Sequence, residues 1–198
     1  MPVIEPVPLE HLDPELRDLL AQGRAAGMLS TTIPNQIWAY RPELSKAAIR
    51  RYQLSFNTGI LEPRLCELVR LRIAGFNDCR ACAVARKSPE VSEEDVACLT
   101  SDDPRFNRRE QLALKFAELF ATDHFAIDDA MFAELGQHFT KAEIIELGFQ
   151  VANAVGGGRL AHVLRAYADD DQPPVLRYEG EFAANADVAA GAETQNAA

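Results

Sequence analysis

Helix-start signals recur along the whole chain, and nowhere between them do apolar and polar residues alternate as they would on a half-buried strand. Asp13-Pro14-Glu15 supplies a cap, a first-turn proline and an acidic first turn, and predicts a helix to about Ala26 that Gly27 closes. A short helix is predicted around Gln36–Tyr40, and a longer one over Glu43–Phe56 that Asn57-Thr58-Gly59 stops. Pro63 opens the next, where Leu65, Leu68, Val69, Ile73 and Phe76 share one helical face until Asn77-Asp78 interrupts it. Asp78 is placed to cap a new helix from Cys79 that Ser88-Pro89 ends, and Ser92-Glu93-Glu94-Asp95 starts another. Asn107 with Glu110 and Thr140 with Glu143 spell capping boxes, and Asp128 caps a helix to about His138. Gly156-Gly157-Gly158 reads as a break or hinge in the last helix, which resumes over Leu160–Tyr167. The fold class is therefore all-α. Residues 1–168 read as one helical domain, and 169–198 as a linker followed by a flexible tail rich in alanine and small polar residues.

A chain of 198 residues with a 47% hydrophobic content can bury a core without metal or disulfide staples. Its 20 basic and 30 acidic side chains leave a formal net charge of -10. Such a protein repels phosphate backbones, which argues against nucleic acid as a partner. Arg50-Arg51 and Arg108-Arg109 read as solvated helix faces or interface charges. The first residues, Met1-Pro2-Val3-Ile4-Glu5-Pro6, have neither a basic nor an apolar targeting region, and no apolar run approaches the ~20 residues that span a bilayer. The expected setting is cytoplasmic, without a membrane partner and with thiols mostly reduced.

In that setting Cys79-Arg80-Ala81-Cys82 points to redox chemistry. Residues three apart share a helix face, so the two thiols can close a disulfide with little backbone movement. A helix N-terminus favours thiolate, and Arg80 and Arg86 add positive potential in the same sense. By this argument alone Cys79 is the better nucleophile. Zinc is the weaker alternative, because a structural site needs four ligands and the chain has no second CxxC or paired histidines. No metal or organic cofactor is expected. Cys66 and Cys98 read as small buried hydrophobes. Glu67 lies among Leu71 and Ala74, where apolar neighbours would let a carboxylate serve as a base, although Arg70 at i+3 is a ready ion-pair partner. Arg72 projects near the apolar stripe and reads as the anchor of an ion pair at a helix or subunit contact.

Glu67-Leu68-Val69-Arg70-Leu71-Arg72-Ile73-Ala74, then Asn77, then Cys79-Arg80-Ala81-Cys82-Ala83-Val84-Ala85, resembles the carboxymuconolactone decarboxylase/alkylhydroperoxidase D superfamily. The resemblance covers residues 62–86 most specifically and extends loosely to about 166. It implies an oligomeric all-α bundle, a homo-trimer or hexamer. It also implies site residues: Cys82 as peroxidatic thiol, Cys79 as resolving thiol, and Glu67, twelve residues before Cys79, as the base that activates Cys82. The substrate would be a small hydroperoxide, and electrons would come from an external dithiol donor. Two positions depart from the pattern: Ala81 and Arg86 stand where peroxidases of this type carry histidine. Arginine does not pass protons near neutral pH, so Arg86 would act by charge or by pairing with Glu67. His124, His138 and His162 are the candidates to replace the relay from elsewhere in the chain. Two other readings use the same residues. One is a lyase or isomerase on a small carboxylated metabolite, with Arg72 and Arg86 holding its carboxylate. The other is a non-catalytic redox sensor.

Overall fold

The computed structural model describes residues 1–79, 82, 83 and 85–167, apart from the side chains of 56 and 57. The linker and tail expected over 169–198 lie outside the described residues. After a 3-10 turn at Leu9–His11 come α1 (Pro14–Ala25), α2 (Ile33–Trp38), α3 (Pro42–Asn57), α4 (Pro63–Phe76), α5 (Glu93–Ala97), α6 (Arg108–Thr122), α7 (Asp129–His138) and α8 (Lys141–Val163). A second 3-10 turn, His124–Ala126, joins α6 to α7. No strand occurs among the described residues.

The caps read from the sequence form. Asp13 accepts from Leu16 N–H, and Asp128 accepts from Met131 N–H. Asn107/Glu110 and Thr140/Glu143 make complete capping boxes, and Ser92 pairs with Asp95 in a third. Gly27, at φ 69°, takes the left-handed turn that closes α1.

α4 lies at the centre. It packs against α6 and α8 to enclose Leu65, Val69, Ile73, Leu112, Phe116, Leu147 and Val151. A second cluster of Leu68, Leu71, Val91, Leu99, Phe106 and Leu114 covers another flank. α4 is therefore buried from Leu65 to Leu71 without interruption, and not along one stripe only. The first helices have their own small core of Leu12, Leu16, Leu20 and Ile49.

Two expectations about helix ends are corrected. α8 runs unbroken through Gly156-Gly157-Gly158. Gly158 serves close approach instead of hinging: a Cβ there would lie 3.1 Å from Asn77 Cγ and closer still to Nδ2. The Asn77 amide donates to Ala154 O at 2.9 Å, tying the end of α4 to the middle of α8. The second correction concerns the helix expected from Cys79 to Ser88. Asp78 does not take the extended backbone of a helix cap but turns the chain in the left-handed region, at φ 46°. The Cys79 carbonyl then accepts from the N–H groups of Cys82 and Ala83, and the turn is over by Ala85. Two arginines take the carbonyls of Cys82, Ala83 and Ala85. Arg70 donates to Cys82 O at 2.6 Å and Ala85 O at 2.7 Å, and Arg86 donates to Ala83 O at 2.6 Å.

Candidate functional site

Cys79 and Cys82 are joined by a disulfide, with Cα atoms 5.2 Å apart. Both line a cavity of about 230 Å³ between the first helices and the α4/α8 pair. Cys79 is only 6% exposed, whereas Cys82 is half-buried and the more exposed residue of the pair. Met28, Leu29, Trp38 and Ile49 make an apolar wall from the first helices. Opposite them, Ala154, Gly157, Gly158 and Ala161 of α8 bring only small side chains, which leaves the space open.

Glu67 is fully buried and does not line the cavity. Arg70 grips its carboxylate with two parallel bonds, Nε to Oε2 at 2.7 Å and Nη2 to Oε1 at 2.8 Å, and Lys87 N–H adds a third at 2.7 Å. This is the ion pair anticipated at i+3, although inside the protein and not at its surface. Glu67 reaches the dithiol through Arg70, which lines the cavity and also holds the Cys82 carbonyl.

The substituted position, Arg86, turns away from the cavity. Its guanidinium bonds Glu93 at 2.8 and 3.0 Å, so it does not pair with Glu67. Arg72 pairs with Glu118 at 2.8 Å and stacks on Phe76, an ion pair at a helix contact as read from the sequence. Neither arginine lines the cavity, so the expectation that Arg72 and Arg86 hold a substrate carboxylate there is corrected. Of the histidines, His162 alone is in the cavity lining, with Nδ1 3.4 Å from Asp78 O.

Three cavity residues escaped sequence reasoning. Tyr52 of α3 lies near Arg70 and Glu67, and burial pushes its phenol up to about 12. It is therefore protonated at neutral pH. Lys87 points its amine at the carbonyls of Gly27, at 2.9 Å, and Met28. Burial, reinforced by the nearby Arg70 charge, lowers it to about 7. Arg51, read as part of a solvated helix face, is exposed and also lines the cavity. Periodicity on α3 marks Tyr52 and Arg51 only as helix positions. Lys87 sits in irregular chain with no local pattern at all.

Cys66 is inert in this arrangement: burial raises its thiol to about 12, and Gln150 Nε2 donates to its sulfur at 3.0 Å. Cys98 is only partly buried. Among the described residues no group of three or more His, Cys, Asp and Glu side chains is placed to hold a metal.

The geometry so assembled has clear structural relatives. A peroxidase-related protein from Ralstonia eutropha with an alkylhydroperoxidase AhpD core superposes with a TM-score of 0.66 at 20% identity, over 84% of this chain and 92% of that one. A cysteine variant of the debrominase Bmp8, solved in complex with 2,3,4-tribromopyrrole, gives 0.67 at 17% identity, over 84% and 91%. A protein of unknown function from Agrobacterium tumefaciens, suggested to be an AhpD antioxidant-defence protein, gives 0.58 at 22%, over 67% and 94%. The fold is thus the all-helical alkylhydroperoxidase D-like one. No protein-family profile matches the sequence, and no curated protein matches it.

Proposed function

We propose that this protein is a thiol-dependent oxidoreductase that reduces hydroperoxides with the Cys79/Cys82 couple. The single observation that carries this reading is the Cys79–Cys82 disulfide in the wall of an apolar cavity of about 230 Å³. The fold neighbours support it in kind, since they include a peroxidase-related protein.

In this reading the Cys82 thiolate attacks the outer peroxide oxygen. The O–O bond breaks, the alkoxide takes a proton and leaves as alcohol, and Cys82 becomes a sulfenic acid. The Cys79 thiol then displaces hydroxide from that sulfur, releasing water and closing the disulfide. An external dithiol restores both thiols and is itself oxidised to a disulfide. Cys82 takes the first role because it is the more exposed cysteine of the pair. Glu67, with both oxygens held by N–H donors, acts here as a positioning residue through Arg70, and His162 is the cavity histidine available to carry a proton. We further propose a homo-oligomer. Ile145, Phe149, Leu160 and Val163 lie on one exposed face of α8, with Ala152 and Gly156 between them permitting close approach.

The test is stopped-flow mixing of reduced protein with tert-butyl hydroperoxide, followed by thiol counting and peptide mass spectrometry. Wild type is expected to lose two thiols and give the Cys79–Cys82 disulfide. Cys82→Ser should abolish peroxide consumption, and Cys79→Ser should stop at an oxidised Cys82. Full peroxide consumption by the double variant would refute the reading.

A further inference from the structure

The cavity wall has a charge composition unlike that of the rest of the chain. The sequence carries 30 Asp and Glu residues against 20 Lys and Arg, yet among the described residues no carboxylate lines the cavity. Arg51, Arg70, Lys87 and His162 all do. Three neighbouring arginines have their counter-ions inside the protein: Arg70 has Glu67, Arg72 has Glu118 and Arg86 has Glu93. Among the described residues Lys87 has no such ion pair, and its amine donates to the main-chain carbonyls of Gly27 and Met28. The Glu67 carboxylate accepts the Lys87 backbone N–H and is paired with Arg70, and it makes no ion pair with the Lys87 amine. A largely buried cation without an anion is costly to maintain. It becomes favourable when something that enters the cavity supplies the missing charge.

We propose that the cavity carries an anion-recognition site centred on Lys87, which selects amphipathic organic acids with an apolar body and a single carboxylate. The body lies against Met28, Leu29, Trp38 and Ile49, and the carboxylate completes the ion pair on Lys87. Burial of the apolar part supplies affinity, and the ammonium supplies selectivity by charge sign. The inference deepens the oxidoreductase reading by naming its substrate class as acid-bearing hydroperoxides. Its test rests on binding alone.

Trp38 is the only tryptophan in the chain and lines the cavity, so its fluorescence reports occupancy directly. The oxidised full-length protein is titrated with octanoate, 1-octanol and octylammonium at fixed ionic strength. Octanoate is expected to bind at least tenfold tighter than 1-octanol, and octylammonium weakest. Lys87→Gln, which keeps a donor for the two carbonyls, and Lys87→Met, which keeps the length, should each erase the preference while leaving 1-octanol binding within about twofold. Far-ultraviolet melting confirms that a variant is folded before its titration is read. Equal affinity for octanoate and octanol, no binding of any of the three, or a preference that survives in a folded Lys87 variant would overturn the proposal. A preference lost only in Arg51→Gln would overturn it too, by moving the site to the exposed arginine. Because no turnover is involved, failure of the peroxidase assay leaves this result standing, and the converse holds.

Discussion

Arg70 lies between Glu67 and the short turn that carries Cys82, and its guanidinium bonds both. Replacing it by methionine would leave the Glu67 carboxylate buried without a counter-charge. Breaking a buried pair from one side costs about 3–5 kcal/mol. We expect Arg70→Met to lose that much in urea unfolding, and Glu67→Gln/Arg70→Met to recover part of it. A loss below ~1 kcal/mol would mean that the pair is not an internal brace, since that is the range of exposed pairs. Lys87 makes a different statement, read through pH. Its folded value of about 7 lies below the ordinary 10.5, with burial first, then Arg70 and Arg24 lowering it and Glu67 opposing them. Between pH 7 and 10.5 the unfolded chain holds a proton that the folded chain has released. Stability therefore rises with pH across that window, and the penalty is greatest below it. The stability of wild type relative to Lys87→Gln should increase from pH 7 to pH 10 in parallel denaturant titrations. A flat difference would show that the amine is not desolvated in the folded protein.

At the scale of elements, α4 and α8 make the site by crossing closely. The glycines of α8 look like a helix breaker in sequence, because glycine lowers helix propensity by about 1 kcal/mol. The contact between Gly158 and Asn77 reverses that reading, since removing the side chain permits the crossing that positions the cavity wall. Gly158→Ala should cost roughly 1–3 kcal/mol by overpacking. Gly136 in α7 is the control: nothing lies within 4 Å of an added Cβ. Gly136→Ala should gain about 0.5–1 kcal/mol from helix propensity. Thermal melts of the two variants should shift in opposite directions, and matching shifts would contradict the crossing argument. The caps of α1, α6, α7 and α8 were legible because each depends on residues three apart. The short turn at Cys82 was not, because arginines distant in sequence or outside the turn take the carbonyls a longer helix would use.

For the whole molecule, an acidic composition and a cavity whose described lining holds no carboxylate are one arrangement of the same charge. The exposed side of α8 matters at this scale as well. α8 is apolar nearly all round, its inner side carrying Leu147, Val151 and Val155 and its outer side Ile145, Phe149, Leu160 and Val163. Phe149 is 63% exposed in the single chain. Under the oligomer proposed above, Phe149→Glu should reduce the mass measured by light scattering to that of a smaller species while leaving the helical circular dichroism intact. An unchanged mass would place the interface elsewhere.

Local sequence determined the helices and their caps, because capping and 3.6-residue periodicity act within a few neighbours along the chain. It also determined the dithiol, since two cysteines three apart can meet on any helical turn. Only the tertiary structure decided which charges face the cavity. Arg86 pairs outward with Glu93, Glu67 is enclosed by Arg70, and Lys87 lines the cavity with no carboxylate partner among the described residues. Those outcomes depend on which side chains approach from distant helices, and on the cost of leaving any buried charge without a partner.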